Sequence, residues 1–227
     1  MASKRTCVDR QQRYPMVSDK KKRGKDAESH FPLPTLSLIV KPELIPSFFP
    51  FLQKGVPMKA QVGSSIKTFL TDQLGLNDSY VDERVQTLFL DGKPVDDLDS
   101  ALIREGSTLA LSAALPGLLG AMLRKKSYYK QMRSPISYKQ DAENIPRREG
   151  TVVLKLFNLL TRELGPSLLR QGVWIQGKDL QSFLKRQPHR FWAGCHKALL
   201  DGKAIDLKEL ASREWPMDQV FLKLEGS

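Results

Sequence analysis

The side chains able to do chemistry are few in this chain and lie far apart. Two cysteines, Cys7 and Cys195, and three histidines, His30, His189 and His196, are spread over 227 residues. Cys195-His196 sets a thiol beside an imidazole, but neighbours on a strand point to opposite faces and neighbours on a helix diverge by about 100°. An activated nucleophile needs its base within hydrogen-bond reach, so this pair is not expected to act as one. Two cysteines supply neither a disulfide framework nor the paired spacing of a zinc site, and they suggest a reducing compartment. No phosphate-cradling glycine loop is present. Catalysis, a metal and a cofactor are therefore not expected. The conspicuous carboxylates, Asp91 and Asp201, each precede a glycine. Asp-Gly between apolar runs is turn chemistry, because the tight strand-matching turn demands positive φ.

Those two turns belong to a repeat. Leu90-Asp-Gly-Lys-Pro-Val-Asp96 recurs as Leu200-Asp-Gly-Lys-Ala-Ile-Asp206. Leu52-Gln-Lys-Gly-Val56 answers Leu169-Arg-Gln-Gly-Val173, Ile66-Lys-Thr-Phe-Leu70 answers Leu180-Gln-Ser-Phe-Leu184, and Arg104-Glu105 answers Arg213-Glu214. Four matches in one order read as a duplicated unit.

The net charge of +11 lies almost wholly outside the two copies. Residues 1–30 carry nine Lys or Arg against four acids, and residues 124–148 carry eight against two. Lys20, Lys21, Lys22 and Arg23 form a like-charge run without apolar periodicity, expected to be disordered. Arg124, Lys125 and Lys126 are followed by Tyr128 and Tyr129. Cations interleaved with aromatics suit a polyanion, neutralising phosphates and stacking on bases; the alternative is a solvated connector. The composition, 41% hydrophobic and 27% charged, is that of a soluble globular protein. No apolar run approaches the ~18 to 20 residues that span a bilayer. The longest, Leu115 to Leu123, contains Pro116 and reads as a domain edge packing locally or as an interfacial or partner-binding segment. The polar, basic N-terminus has no signal-peptide core, and a cytoplasmic address is expected.

Each copy reads as strand, strand, helix, strand, short hairpin segment, strand. Leu36 to Val40 and Val152 to Phe157 open the copies, and Val56 to Val62 and Val173 to Gln176 follow. A helix capped by Ser64 or Ser65 carries Ile66, Phe69, Leu70 and Leu74 on one face and ends at Gly75; Asp179 stands in the capping place for Leu180, Phe183 and Leu184. Val85 to Leu90 and Ala198 to Leu200 run into the Asp-Gly turns, and Thr108 to Ala113 or Gln219 to Leu224 closes each unit. Between the first two strands, Lys41 to Gly55 and Asn158 to Gly172 replace a tight turn. The second of these stretches spaces Leu156, Leu160, Leu164 and Leu168 by four. The first holds Phe48, Phe49, Phe51 and Leu52, which either cover a sheet edge as extra core or form an exposed patch that docks an unknown protein partner.

This order, with Val62-Gly-Ser-Ser-Ile66 opening the helix and Leu90 to Asp96 followed by Glu105-Gly-Ser-Thr-Leu-Ala-Leu111, resembles the β-grasp or ubiquitin-like fold. Within that fold the chain is most similar to the sulfur-carrier proteins of thiamine and molybdopterin synthesis. The resemblance implies an α+β chain of two tandem β-grasp units: a disordered basic tail (1–33), a first unit (34–116), a basic linker (117–150) and a second unit (151–227). Residues 31–116 are expected to fold alone. Carriers end in a free Gly-Gly, whereas the first copy runs through Leu115-Pro-Gly-Leu118 into the linker and the second reads Leu224-Glu-Gly-Ser227. The expected function is therefore a non-catalytic macromolecular binding or adaptor module. The alternatives are a degenerate or processed sulfur carrier, and RNA or ribosome association through the tail and linker.

Overall fold

A computed structural model describes residues 33–125, 127–139, 145–215 and 219–226. The tail run Lys20 to Arg23 lies outside them. Strand β1 (Thr35–Val40) turns Leu36, Leu38 and Val40 inward, and a 3-10 helix (Pro42–Phe48) and α1 (Phe49–Lys54) lead to β2 (Val56–Val62). There follow α2 (Ile66–Thr68), a π-helical turn (Phe69–Gln73), α3 (Asp78–Glu83), β3 (Thr87–Leu90), β4 (Lys93–Pro94) and β5 (Thr108–Ser112). Helix α4 (Gly117–Leu123) and a 3-10 helix (Tyr128–Arg133) precede β6 (Arg148–Phe157), α5 (Asn158–Gln171), β7 (Val173–Gln176) and α6 (Gly177–Lys185). The chain closes with α7 (His189–Trp192), β8 (Cys195–Leu200), β9 (Lys203–Ile205), α8 (Leu207–Ser212) and β10 (Gln219–Gly226). The architecture is α+β.

The strands form two five-stranded mixed sheets, β2-β6-β5-β3-β4 and β7-β10-β1-β8-β9. Each has a parallel pair at its centre, β5 with β6 and β1 with β10, flanked by antiparallel neighbours. Neither sheet comes from one copy. The first copy's opening strand β1 lies between β10 and β8 of the second, and the second copy's opening strand β6 lies between β2 and β5 of the first. The boundaries 34–116 and 151–227 thus divide the sequence repeat but not the sheets, and Pro32–Ser227 is one compact unit.

The stretches that replace a tight turn account for the exchange. A two-residue turn forces successive strands to pair as neighbours; α1 and α5 instead carry the chain from one sheet to the other. The two connectors pack together where Gly165 meets α1, since a Cβ on Gly165 would lie 2.9 Å from Phe49 Cε1 and 3.0 Å from Leu52 Cδ1. Each connector is also gripped by a short helix of the other copy. Phe191 on α7 lies 5.7 Å from Phe48, centroid to centroid, and Tyr80 on α3 donates its hydroxyl to Glu163 of α5 at 2.6 Å. One hydrophobic core runs through both copies.

The Asp-Gly turns have positive φ at both central residues, 50° and 79° at Asp91-Gly92 and 51° and 79° at Asp201-Gly202. Ser65 caps its helix by accepting the Thr68 amide at 3.1 Å. Asp179 is a correction: α6 begins at Gly177, ahead of it, so its carboxylate is not the cap and takes Lys54 Nζ at 2.6 Å.

Candidate interaction surface

The segment between the copies is fastened to the first sheet by two buried cations. Lys125 is 6% exposed; its backbone amide donates to the Gln86 carbonyl at 2.7 Å and its Nζ to the Val81 carbonyl at 2.8 Å. Arg133, 2% exposed, donates from Nε to the Met122 carbonyl at 2.6 Å, from Nη1 to Ser137 Oγ at 2.7 Å and from Nη2 to Asp96 Oδ1 at 2.8 Å. A buried guanidinium is tolerated only when its donors are used in this way. The Tyr138 amide then donates to the Pro94 carbonyl at 2.9 Å, so the segment also lies along β4.

With Lys125 and Arg133 turned inward, the segment presents apolar side chains outward. Leu118 (63% exposed), Leu119 (67%), Tyr128 (90%), Tyr129 (42%), Met132 (63%) and Ile136 (59%) all fall within twenty residues, and Leu159 is the other exposed large apolar side chain among the described residues. Scattered apolar residues on a surface are ordinary, whereas grouped ones are characteristic of contact sites, and here α4 packs against the 3-10 helix Tyr128–Arg133. The Tyr128 and Tyr129 rings meet edge to face at 5.5 Å and 87°. Ser127 starts their turn by accepting the Tyr129 amide at 3.2 Å.

The residues singled out from sequence are placed unevenly. Arg124, Tyr128 and Tyr129 are exposed in this segment, and Lys126 lies outside the described residues. Lys125 is corrected: it is a buried anchor, not a free charge for a polyanion. The docking patch at Phe48, Phe49, Phe51 and Leu52 is likewise corrected. Phe48, Phe51 and Leu52 are buried and Phe49 half-buried, and Phe48 and Phe51 stack on Phe183 at 4.9 and 5.1 Å. They are core because the connector carrying them crosses between sheets. Leu118 and Leu119 lie in the apolar run read as a domain edge packing locally or as an interfacial or partner-binding segment; Met132 and Ile136 carry no periodic signal in the sequence.

Elsewhere the titratable groups serve the framework. Burial pushes the Cys195 thiol up to about 11, which leaves it protonated and unreactive near neutrality, while His196 is exposed where the pairing of β8 with β1 shifts register. Glu163 is held below the usual carboxylate range by hydrogen bonds from Arg84 and then Tyr80, and Tyr80 is raised by burial and by its bond to Glu163. Among the described residues no group of three or more His, Cys, Asp or Glu is placed to hold a metal, and no helix is long and apolar enough to cross a membrane. Compared with known proteins, the chain matches no family model, no curated protein and no solved structure.

Proposed function

We propose that the chain is a strand-exchanged tandem β-grasp protein that works as a non-catalytic binding module and makes its macromolecular contact through the surface from Leu118 to Ile136. The β-grasp reading is supported by a parallel central pair with antiparallel flanks and a short edge hairpin, present twice. One observation carries the functional reading: among the described residues, all but one of the exposed large apolar side chains are gathered in this segment, on a backbone fixed by buried Lys125 and Arg133. A surface held this firmly loses little conformational freedom when it docks.

The test is a full-length variant with Leu118, Leu119, Met132 and Ile136 changed to Ser, compared with wild type and with Leu159→Ser. Binding to protein, nucleic acid and membrane fractions of the host is measured with and without nuclease and detergent. Wild type and Leu159→Ser should retain a common partner that the fourfold variant loses at unchanged melting temperature. Retention by the fourfold variant, or no partner for wild type in any fraction, would overturn the reading.

A further inference from the structure

We infer that the partner of this surface is an anionic lipid bilayer, an inference that rests on the binding-module reading above. The chemistry of the exposed side chains favours lipid over nucleic acid. Four of the six, Leu118, Leu119, Met132 and Ile136, are aliphatic and well over half exposed. Phosphates and bases cover aliphatic groups poorly, whereas the acyl boundary of a membrane takes them without a complementary cavity. Such exposure means that the chains stand proud of the surface, which suits insertion better than a shaped protein contact.

The charge pattern agrees. Residues 117–140 contain six Lys or Arg and no Asp or Glu. Lys125 and Arg133 are buried, but Arg124 and Lys139 are exposed on the same segment, and Lys126 and Lys130 flank the tyrosines in sequence. Basic residues beside a few inserted side chains give the two signals that stable membrane attachment requires, since neither a small apolar area nor a few charges suffices alone. Tyr128 and Tyr129 have the amphipathic rings that settle at headgroup level. The segment's hydrogen bonds to Gln86, Val81, Met122 and Pro94 satisfy polar groups that would otherwise resist leaving water.

The experiment is co-sedimentation of the full chain with phosphatidylcholine vesicles, with and without phosphatidylserine, across a salt series. Wild type should bind the phosphatidylserine vesicles, more weakly as salt rises, and should bind phosphatidylcholine alone at least roughly tenfold less well. Leu118→Ser/Leu119→Ser and, separately, Arg124→Gln/Lys139→Gln should each weaken binding by roughly tenfold or more at unchanged melting temperature. Binding untouched by either variant but lost on deleting residues 1–30 would place the lipid site in the tail and overturn the inference. Absence of vesicle binding, with a nuclease-sensitive or protein partner still captured through Leu118 to Ile136, would overturn the lipid assignment and leave the binding module standing. If the fourfold serine variant keeps every partner, the module reading itself fails.

Discussion

The two sheets end in the same Leu-Asp-Gly-Lys hairpin, yet the strand that each hairpin locks comes from a different part of the chain. Asp91 Oδ1 accepts the Thr108 amide at 2.6 Å and Oδ2 accepts the Ser107 hydroxyl at 3.2 Å, fixing β5 of its own copy. Asp201 Oδ1 accepts the Thr35 amide at 2.8 Å, fixing β1 of the other copy. In the first sheet the exchanged strand β6 sits next to β2 and is held by Glu105, which accepts the Thr151 amide at 3.0 Å and Arg148 Nη1 at 2.9 Å. In the second, the exchanged strand takes the place beside β8, and the copy's own last strand β10 takes the place beside β7. Duplication therefore kept the lock and changed what it closes on.

The widest test of this difference is to cut the copies apart. Residues 31–116 lack β6, which lies between β2 and β5, so that fragment should give no sharp thermal transition while the full chain does. A cooperative transition in the fragment would show that the first sheet closes without exchange.

Next in size, Leu38→Ala in β1 and Leu154→Ala in β6, both essentially fully buried, should each cost about 2 to 5 kcal/mol. The damage should appear in the other copy. Hydrogen exchange should rise first in Cys195–Leu200 and Gln219–Gly226 for Leu38→Ala, and in Val56–Val62 and Thr108–Ser112 for Leu154→Ala.

Gly92→Val and Gly202→Val should each cost roughly 1 to 3 kcal/mol through backbone strain alone, because open space surrounds both positions. Equal losses by denaturant titration would show that the turns stayed equivalent while their surroundings diverged. The last residue of the motif separates the copies. Asp96→Ala strips a partner from buried Arg133 and should cost about 1 to 3 kcal/mol, whereas the Asp206 carboxylate accepts the Lys208 amide as the cap of α8, and its loss should cost about 1 kcal/mol.

The smallest effect is at the polar grip on α5, for which the aromatic grip at Phe191 is the control that does not titrate. Glu163 titrates below its unfolded value, so its contribution is present above the ordinary carboxylate range and is lost as pH falls through the lowered folded value. Glu163→Gln should flatten the acid limb of the melting temperature against pH. A variant at Phe191, whose grip does not titrate, should lower the curve without changing its shape.

Much of the local structure was legible in the sequence. Asp-Gly demanded positive φ at residues 91–92 and 201–202, one of the two candidate caps, Ser65, is the cap, and of the stripe Ile66, Phe69, Leu70 and Leu74 the first three are buried and the last half-buried. The sheet to which a strand belongs was not legible. Leu36, Leu38 and Val40 bury the same alternate face whichever sheet receives them, and the choice is made by connectors and by distant partners such as Asp201 and Glu105. The surface was half legible. Leu118 and Leu119 lay in a marked apolar run, but a run of cations reads as solvated, and nothing local says that Lys125 and Arg133 turn inward to Val81 and Asp96.

The exchange also sets a timetable for synthesis on the ribosome. Strand β1 emerges well before β8 and β10, between which it lies. At about 5 to 20 residues per second, it waits roughly 10 to 40 s with Leu36, Leu38 and Val40 uncovered. The nascent chain cannot finish one half before beginning the other, so neither sheet is whole until strands of the second copy have been made. Holding factors that shield β1 in that interval would affect the yield of this protein more than that of a tandem whose halves close one after the other.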